Sequence, residues 1–503
     1  MLAMLKTIKK QGRVGVFLCL MSINLMLTAQ ESDTLRISLE TGVLVSTDSF
    51  NPSYLVHNRW GKVTDDQRAF VEGRVRYSKK VSKNWRFEGN LAFRNKQLYE
   101  SSISVHWNVF KVFGGRSIES LGGIENNELT TGSLAVGRNA LPVPQIGLEV
   151  DYIDLPFSQG YVKLKGGLSH GWFEEDRYIS KALLHQKYAK VLIDLEDIIG
   201  SRIYSSIIHF AQYGGVSPLG DRQPSSFDDF LTVFFGQGIP NPLGGTAGES
   251  NALGNHVGIT EWTWDQKIGE HRLQINYQKP FEDQGSMQYI SFKDFFVGFR
   301  LLYPEDSKIK ALYVEWIRSI SQSQAGLPDP TPTVATREDN FGYEFGGRDD
   351  YYNNWLYQNG WTYKGRILSN PLFLTYNWAL NFLSPFPNYS NQVINNRLNA
   401  FHFGADVELS TKLKVRSMMT FTINKGTYAG LYEGRFAWEG IQTDPDFDYV
   451  FLGGKNQFYS LIDLCYESLL LKQPVNFKAM FAFDTGQLYT NAGLEFGVEF
   501  MLK

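Results

Sequence analysis

The chain reads as a succession of short runs in which every second residue is apolar. Ala69, Val71, Gly73, Val75 and Tyr77 share one parity, while Arg68, Glu72, Arg74 and Arg76 share the other. Successive side chains of a strand point to opposite faces, so such a run is a strand with one greasy and one charged side. After the turn SKKVSKN at 78–84, Trp85, Phe87, Leu91 and Phe93 alternate with Arg86, Glu88, Asn90 and Arg94, which predicts a hairpin. The period returns at Ile103, Val105, Trp107, Val109 and Phe113, at Val162, Leu164 and Leu168, and at Leu273, Ile275 and Tyr277. It is clearest around Ser410, where Phe401, Phe403, Ala405, Val407 and Leu409 precede Leu413, Val415, Met419, Phe421 and Ile423. Two further runs, Val475 to Phe483 and Leu494 to Phe500, close the chain.

The connections are unequal. Those at 78–84 and 410–412 are short, whereas those at 214–255, 321–371, 384–396 and 425–455 are long. Tight turns at one end and large loops at the other are expected of a membrane barrel. In the first long loop, Ser226 with Asp229 three residues on predicts a capped amphipathic helix reaching Phe234. It can fold inward as a plug or lie on the loop surface. At about 26 residues per strand and connection, the chain accommodates on the order of 16 to 20 strands.

Parity alone does not separate a soluble sandwich from a barrel whose apolar face meets lipid; the rest of the sequence does. Lys6, Lys9, Lys10 and Arg13 precede an apolar run at 14–27 and the tripeptide LTA before Gln30. This predicts a secretory signal peptide at 1–29, cleaved after Ala29, because the run is shorter than the ~20 residues that cross a bilayer. Leu18 stands before Cys19 where a lipidation signal would have a small residue. Beyond the leader one cysteine, Cys465, is left, so no internal disulfide can form and a closed hydrogen-bonded sheet must hold the fold. Aromatic residues make up 15 % of a chain whose mean hydropathy is −0.25. The net charge of −3 and the lack of a basic patch exclude nucleic acid as a partner. The expected organisation is a signal peptide (1–29), an N-terminal periplasmic lead-in (30–67) tucked against the barrel, and one all-β, antiparallel outer-membrane barrel (68–503).

Several stretches carry a family resemblance: FNPSYLVHNRWGK at 50–62, GGR at 114–116, TGSLAVGRNALPVPQI at 131–146, SHGWF at 169–173 and LHQK at 184–187. HFAQYGG at 209–215, GNHVG at 254–258, YQKPFEDQGS at 277–286 and GRDDYYNNWLYQNGW at 347–361 continue it. In this order they resemble the capsule-assembly Wzi family of outer-membrane proteins, in the variant of Bacteroidetes-type bacteria. The resemblance implies a barrel of about eighteen strands whose lumen is largely blocked by loops. It also implies a lectin-like role in binding and organising capsular or other surface polysaccharide at the cell surface, with capsule export machinery as a further partner.

Sugar recognition needs flat aromatic faces and planar polar groups. Asp349, Tyr351, Tyr352, Asn353, Asn354, Tyr357 and Trp361 supply both within one long connection and are candidate glycan contacts. Arg116 and Lys187 are candidates for acidic sugars. The competing reading places the aromatics in an interfacial belt or packs the loop on itself. His170, His185, His209 and His256 sit at strand ends beside Gly or polar residues, without the spacing of a metal site. With Arg138, Glu282 and Asp283 they are expected to form a luminal hydrogen-bonding network. Catalysis is the rival class, through Ser133 or Ser169 with His170, or through Glu282 with Asp283. Adjacent residues of an extended chain face opposite ways, however, and no nucleophile-elbow motif is present. The expectation is a non-enzymatic protein without cofactor or metal, and the alternative is a porin-like passive channel for small polar solutes or sugars. The Gly- and Asn-rich stretch between Gly114 and Pro144 reads as a connection turned across the barrel mouth or into the lumen.

Overall fold

A computed structural model describes residues 33–238, 252–282, 293–322, 350–384, 392–427, 450–470 and 472–502. The signal peptide, Asp283 and Asp349 lie outside the described residues. Within them, eighteen strands form one closed antiparallel sheet. They are β1 Asp33–Ser46, β2 Ala69–Lys80, β3 Trp85–Arg94, β4 Gln97–Trp107, β5 Phe110–Arg116, β6 Gln145–Asp154, β7 Val162–Trp172, β8 Leu183–Leu195 and β9 Ser201–Tyr213. The second half comprises β10 Asn255–Ile268, β11 His271–Phe281, β12 Phe295–Leu302, β13 Ile309–Ser319, β14 Leu398–Ser410, β15 Leu413–Asn424, β16 Lys455–Leu470, β17 Gln473–Gly486 and β18 Asn491–Leu502. Each strand pairs with its neighbours in the chain, and the seam closes where β1 runs against β18 from Ile37↔Leu502 to Ser46↔Gly493. Closure leaves no edge with unpaired backbone groups, which the interior of a bilayer requires.

The seam corrects the expected periplasmic lead-in, because residues 33–46 are the first wall strand and only 47–68 is irregular. The reason is the same two-residue period seen elsewhere. Leu39, Val43 and Val45 lie exposed on the outer face, while Glu40 on the opposite parity is buried.

All short turns but two lie at the end of the barrel that carries both chain termini. The long connections, and the two-residue and four-residue turns at 95–96 and 487–490, lie at the other end. By this asymmetry the long-loop end faces the outside. The segments 321–371 and 384–396 belong to a single connection, 320–397, between β13 and β14.

The outer wall is apolar and framed by aromatics. Near the short-turn end Trp85, Trp107 and Phe110 stack in a row, with ring centroids 6.1 Å and 5.6 Å apart. Toward the other end Trp262, Tyr277, Phe295, Trp316 and Phe401 form a second row, each in ring contact with the next. Between them lie exposed residues such as Ile103, Val314 and Phe481. Two aromatic girdles around an apolar band define a membrane-spanning barrel of the outer-membrane type.

Candidate functional site

The inner face is charged, and three connections fold onto it. Segment 47–68 brings Arg59 to Glu495 of β18 at 2.5 Å and Lys62 to Glu72 of β2 at 2.9 Å. Segment 117–144 sets the amide of Leu134 on the Gln278 side chain of β11 at 3.0 Å and Thr130 Oγ1 on Glu315 of β13 at 2.7 Å. Thr131 donates to the same carboxylate. Residues 350–384 and 392–397 bind the other two: Asn139 donates to the carbonyl of Ile367 at 3.1 Å and Asn370 to that of Gly132 at 3.0 Å, while Arg366 donates to the carbonyl of Val63 at 2.7 Å. Wall strands from opposite sides of the barrel are thus tied to one body of loops. Its interior is a hydrophobic core of Phe50, Leu55, Val56, Leu134, Tyr352, Trp361, Phe373 and Trp378. These loops plug the lumen, and the stretch after Gly114 does run into it.

Burial decides the fate of the candidate glycan contacts. Tyr351, Tyr352, Tyr357 and Trp361 are at most 3 % exposed and belong to the plug core, so they offer no free ring face to a polysaccharide. Their polar atoms are engaged inside the protein: Tyr352 Oη donates to Leu134 O at 2.7 Å, Tyr357 Oη to Gly214 O at 3.1 Å, and Trp361 Nε1 to Ala135 O at 2.8 Å. Asn353 exchanges hydrogen bonds with the backbone of Val393, and Asn354 Oδ1 accepts from the amides of Leu356 and Tyr357. Arg116 donates to Pro142 O and Tyr363 Oη, each at 2.8 Å, tying two plug segments together. The competing reading, a loop packed on itself, describes these residues. A closed lumen gave them an interior that an alternation pattern alone does not reveal.

The luminal histidine network needs a larger correction. His185, His209 and His256 pair across the strands in register with Ala211, Gly258 and Ala211 respectively. They therefore share parity with the exposed Val191, Ile193, Ile203, Ile207 and Trp264. His170 has the parity of Leu168 and Trp172, which are 42 % and 43 % exposed. All four imidazoles, and Lys187, stand on the outer face. They were expected inside because a polar residue in a barrel strand is most simply assigned to the lumen. The helix Phe227–Phe235 covers His170, His185 and Lys187, its Phe230 and Phe234 rings 5.3 Å and 5.4 Å from His185, while His209 bonds His256 at 2.8 Å and stacks on Phe281. Of the remaining members, Arg138 lines the lumen and pairs with Glu128 at 2.6 Å. Glu282 accepts from the Tyr352 amide at 2.6 Å.

Two cavities flank the plug. On the short-turn side a luminal chamber of about 870 Å³ is lined by Arg74, Arg76, Lys165, Lys190, Glu125 and Glu261. On the outer side a cleft of about 510 Å³ lies between the three plug segments and includes His57, Asp65, Asp66, Lys364, Asn377 and Trp378. Its floor is rigid: the His57 ring stands edge-on to Trp378 at 4.5 Å, and His57 Nδ1 is 2.8 Å from Asn139 Oδ1. Arg366 donates to Asp65 at 2.7 Å, and Asn381 donates to the other Asp65 oxygen at 3.1 Å. Burial, reinforced by Arg366, pushes the His57 imidazole down to about 3, so it is neutral at physiological pH. Its Nε2 is buried without a hydrogen-bond partner among the described residues. The rim is accessible through Thr64, Asp66, Lys364 and Asn377.

Sequence reasoning missed this cleft. His57 lies within the FNPSYLVHNRWGK stretch, whose Pro, Asn and Gly marked it as irregular, but Asn139 lies 82 residues on in the chain, and Trp378 and Arg366 close the cleft from a third segment far beyond it. Among the described residues no group of three or more His, Cys, Asp or Glu is placed to hold a metal ion.

No family model and no curated protein matches the chain. Among solved structures, OpdL of Pseudomonas aeruginosa aligns over 94 % of this chain and 99 % of its own, at 9 % identity and a TM-score of 0.44. OccK5 (OpdH) of the same organism aligns over 93 % and 98 %, at 11 % identity and a TM-score of 0.43. OmpT of Vibrio cholerae aligns over 94 % and 99 %, at 9 % identity and a TM-score of 0.35. The class of the protein follows from its own strand order, closure and girdles: an outer-membrane β-barrel with loops folded into its lumen.

Proposed function

We propose that this barrel is a non-enzymatic, lectin-like protein of the capsule-assembly Wzi type, which binds and organises capsular or another surface polysaccharide at the outer face of the outer membrane. The observation that carries this reading is the outer cleft. It is a rigid concavity built by three plug segments, with an aromatic floor and planar amide, carboxylate and guanidinium groups at its walls. Such groups match the hydroxyl pattern and C–H faces of sugars. The sugar would rest above a filled lumen and be held at the surface rather than passed through. A glycan array probed with the refolded barrel tests this: binding that Asp66→Ala and Asn377→Ala weaken supports it, and binding to no polysaccharide removes it.

The second reading is a passive channel for small polar solutes or sugars. It is favoured by the charged chamber of about 870 Å³ on the short-turn side of the plug. It requires the plug to move, against the hydrogen bonds that tie it to β2, β11, β13 and β18.

A further inference from the structure

The helix Phe227–Phe235 is neither plug nor loop ornament. Ser226 and Asp229 form a reciprocal capping box at its start, and Gly236 in the left-handed region ends it, so its limits are set locally. The side chains sort into three stripes. Phe230, Val233 and Phe234 face the wall, where Val233 is fully buried against Ala211, Tyr213 and Leu253. Phe227, Leu231 and Phe235, spaced four apart, point away and are 72 %, 38 % and 67 % exposed. Asp228, Asp229 and Thr232 supply the polar edge. A helix whose apolar surface extends beyond the face laid on the wall needs cover for the rest.

The wall beneath it is unusual. On β8 the outward positions run Ile193, Val191, Ala189, and then change to Lys187 and His185; on β9 they run Ile203, Ser205, Ile207, and then His209. The apolar band is therefore interrupted by polar side chains toward the outer end of these strands. The helix covers that interruption: the Lys187 ammonium lies 4.1 Å from the centre of the Phe234 ring, and Phe230 packs between His170, His185 and Tyr213. Both nitrogens of His185 are buried without a hydrogen-bond partner among the described residues, so they are shut away under the helix. Next to the helix the outer face carries exposed Ile146, Trp172 and Ile207, which belong to the lipid-facing band.

We infer that the helix Phe227–Phe235 is an interfacial membrane element. It lies on the outside of the barrel at the level of the outer leaflet, takes lipid against Phe227, Leu231 and Phe235, and replaces a polar patch of wall with an apolar one. Continuity with the lipid-facing band selects lipid as the occupant: the free stripe extends the same surface outward, and the polar edge fits the headgroup level.

The test is a polarity-sensitive fluorophore on Phe235→Cys, with Cys19 and Cys465 replaced by Ser, in barrels reconstituted into phosphatidylcholine vesicles containing doxyl-labelled phospholipid. Because Phe235 is exposed, the substitution leaves the fold intact. Quenching by lipid doxyl groups should match that of a label at the wall position Ile146→Cys, and exceed that at the cleft-rim position Asp66→Cys by at least about threefold. Phe227→Cys should behave alike. An aqueous emission spectrum with no lipid quenching at both helix positions would overturn the inference. So would energy transfer between labelled copies that rises with protein density, which would show a second copy on this face.

Discussion

The indole nitrogen of Trp361 donates to the carbonyl of Ala135 over 2.8 Å, although 226 residues separate the two in the chain. The bond joins two of the three segments that fill the lumen, at a side chain with no exposed surface. Trp361→Ala would leave a cavity and an unpaired buried carbonyl, at a cost of about 3–5 kcal/mol to the plug. The wall touches it through Phe210 of β9, 5.4 Å away, but its strands are held by their own backbone ladders. Hydrogen exchange in reconstituted barrels should show segments 131–140 and 361–370 losing protection in the variant while the wall amides keep theirs. Equal protection in both proteins would show that the plug does not rest on this contact.

Arg94 supports the plug from below. Its side chain is fully buried, with Glu72 and Glu495 each at 3.2 Å and the Phe70 ring 3.4 Å beneath the guanidinium. Removing Arg94 costs up to about 3–5 kcal/mol, because it deletes one cation of a buried ionic cluster even though Arg59 and Lys62 still hold Glu495 and Glu72. Arg94→Ala should lower the urea midpoint of unfolding, and Glu72→Gln combined with it should lower it further, because Lys62 and Arg74 then lose their carboxylate. A variant as stable as the parent would show that the cluster is solvated in the membrane-embedded protein.

Acid should loosen the plug. The folded imidazole of His57 titrates at about 3 because of burial and Arg366, against about 6.5 when unfolded. Between those values the unfolded chain binds more protons, so stability rises with pH there. The contribution is complete above about 6.5 and drains away as the pH falls toward 3. His57→Gln, which keeps hydrogen-bonding capacity toward Asn139, should flatten the pH dependence of the urea midpoint between pH 8 and 5. Parallel curves for the two proteins would assign the acid sensitivity elsewhere.

The barrel was legible in the sequence because its period is local. Each strand announces itself through neighbours two residues apart, and the paired runs around Ser410 meet across β14 and β15 in the expected hairpin. The capped helix was legible for the same reason, since Ser226 and Asp229 are three residues apart. What the period does not encode is the side of the wall on which a polar residue stands when something else covers it. His185 and His209 keep the outward parity of Ile193 and Ile207, and the helix over His185 and the His256 and Phe281 rings beside His209 make that tolerable. Nor does it encode long-range closure: Trp361 looked like a sugar platform because its partners lie in a segment two hundred residues earlier. The cleft was illegible for that reason too, with Asp65 and Arg366 meeting from distant parts of the chain.

The cleft rim separates binding from folding. Asp66 and Asn377 are exposed, so Asp66→Ala and Asn377→Ala should alter stability by no more than about 0.5 kcal/mol. Retention of surface polysaccharide by cells expressing either variant should fall several-fold at unchanged barrel abundance. Full retention in the double variant would remove the cleft from glycan binding.

Ion conductance through single barrels in a planar bilayer reports directly whether the lumen is closed. A lumen filled by residues 47–68, 117–144, 350–384 and 392–397 predicts insertion without a steady open-pore current, and the appearance of one in Trp361→Ala. A large, steady, ungated current in the unaltered protein would contradict the plugged barrel and turn the reading toward a channel.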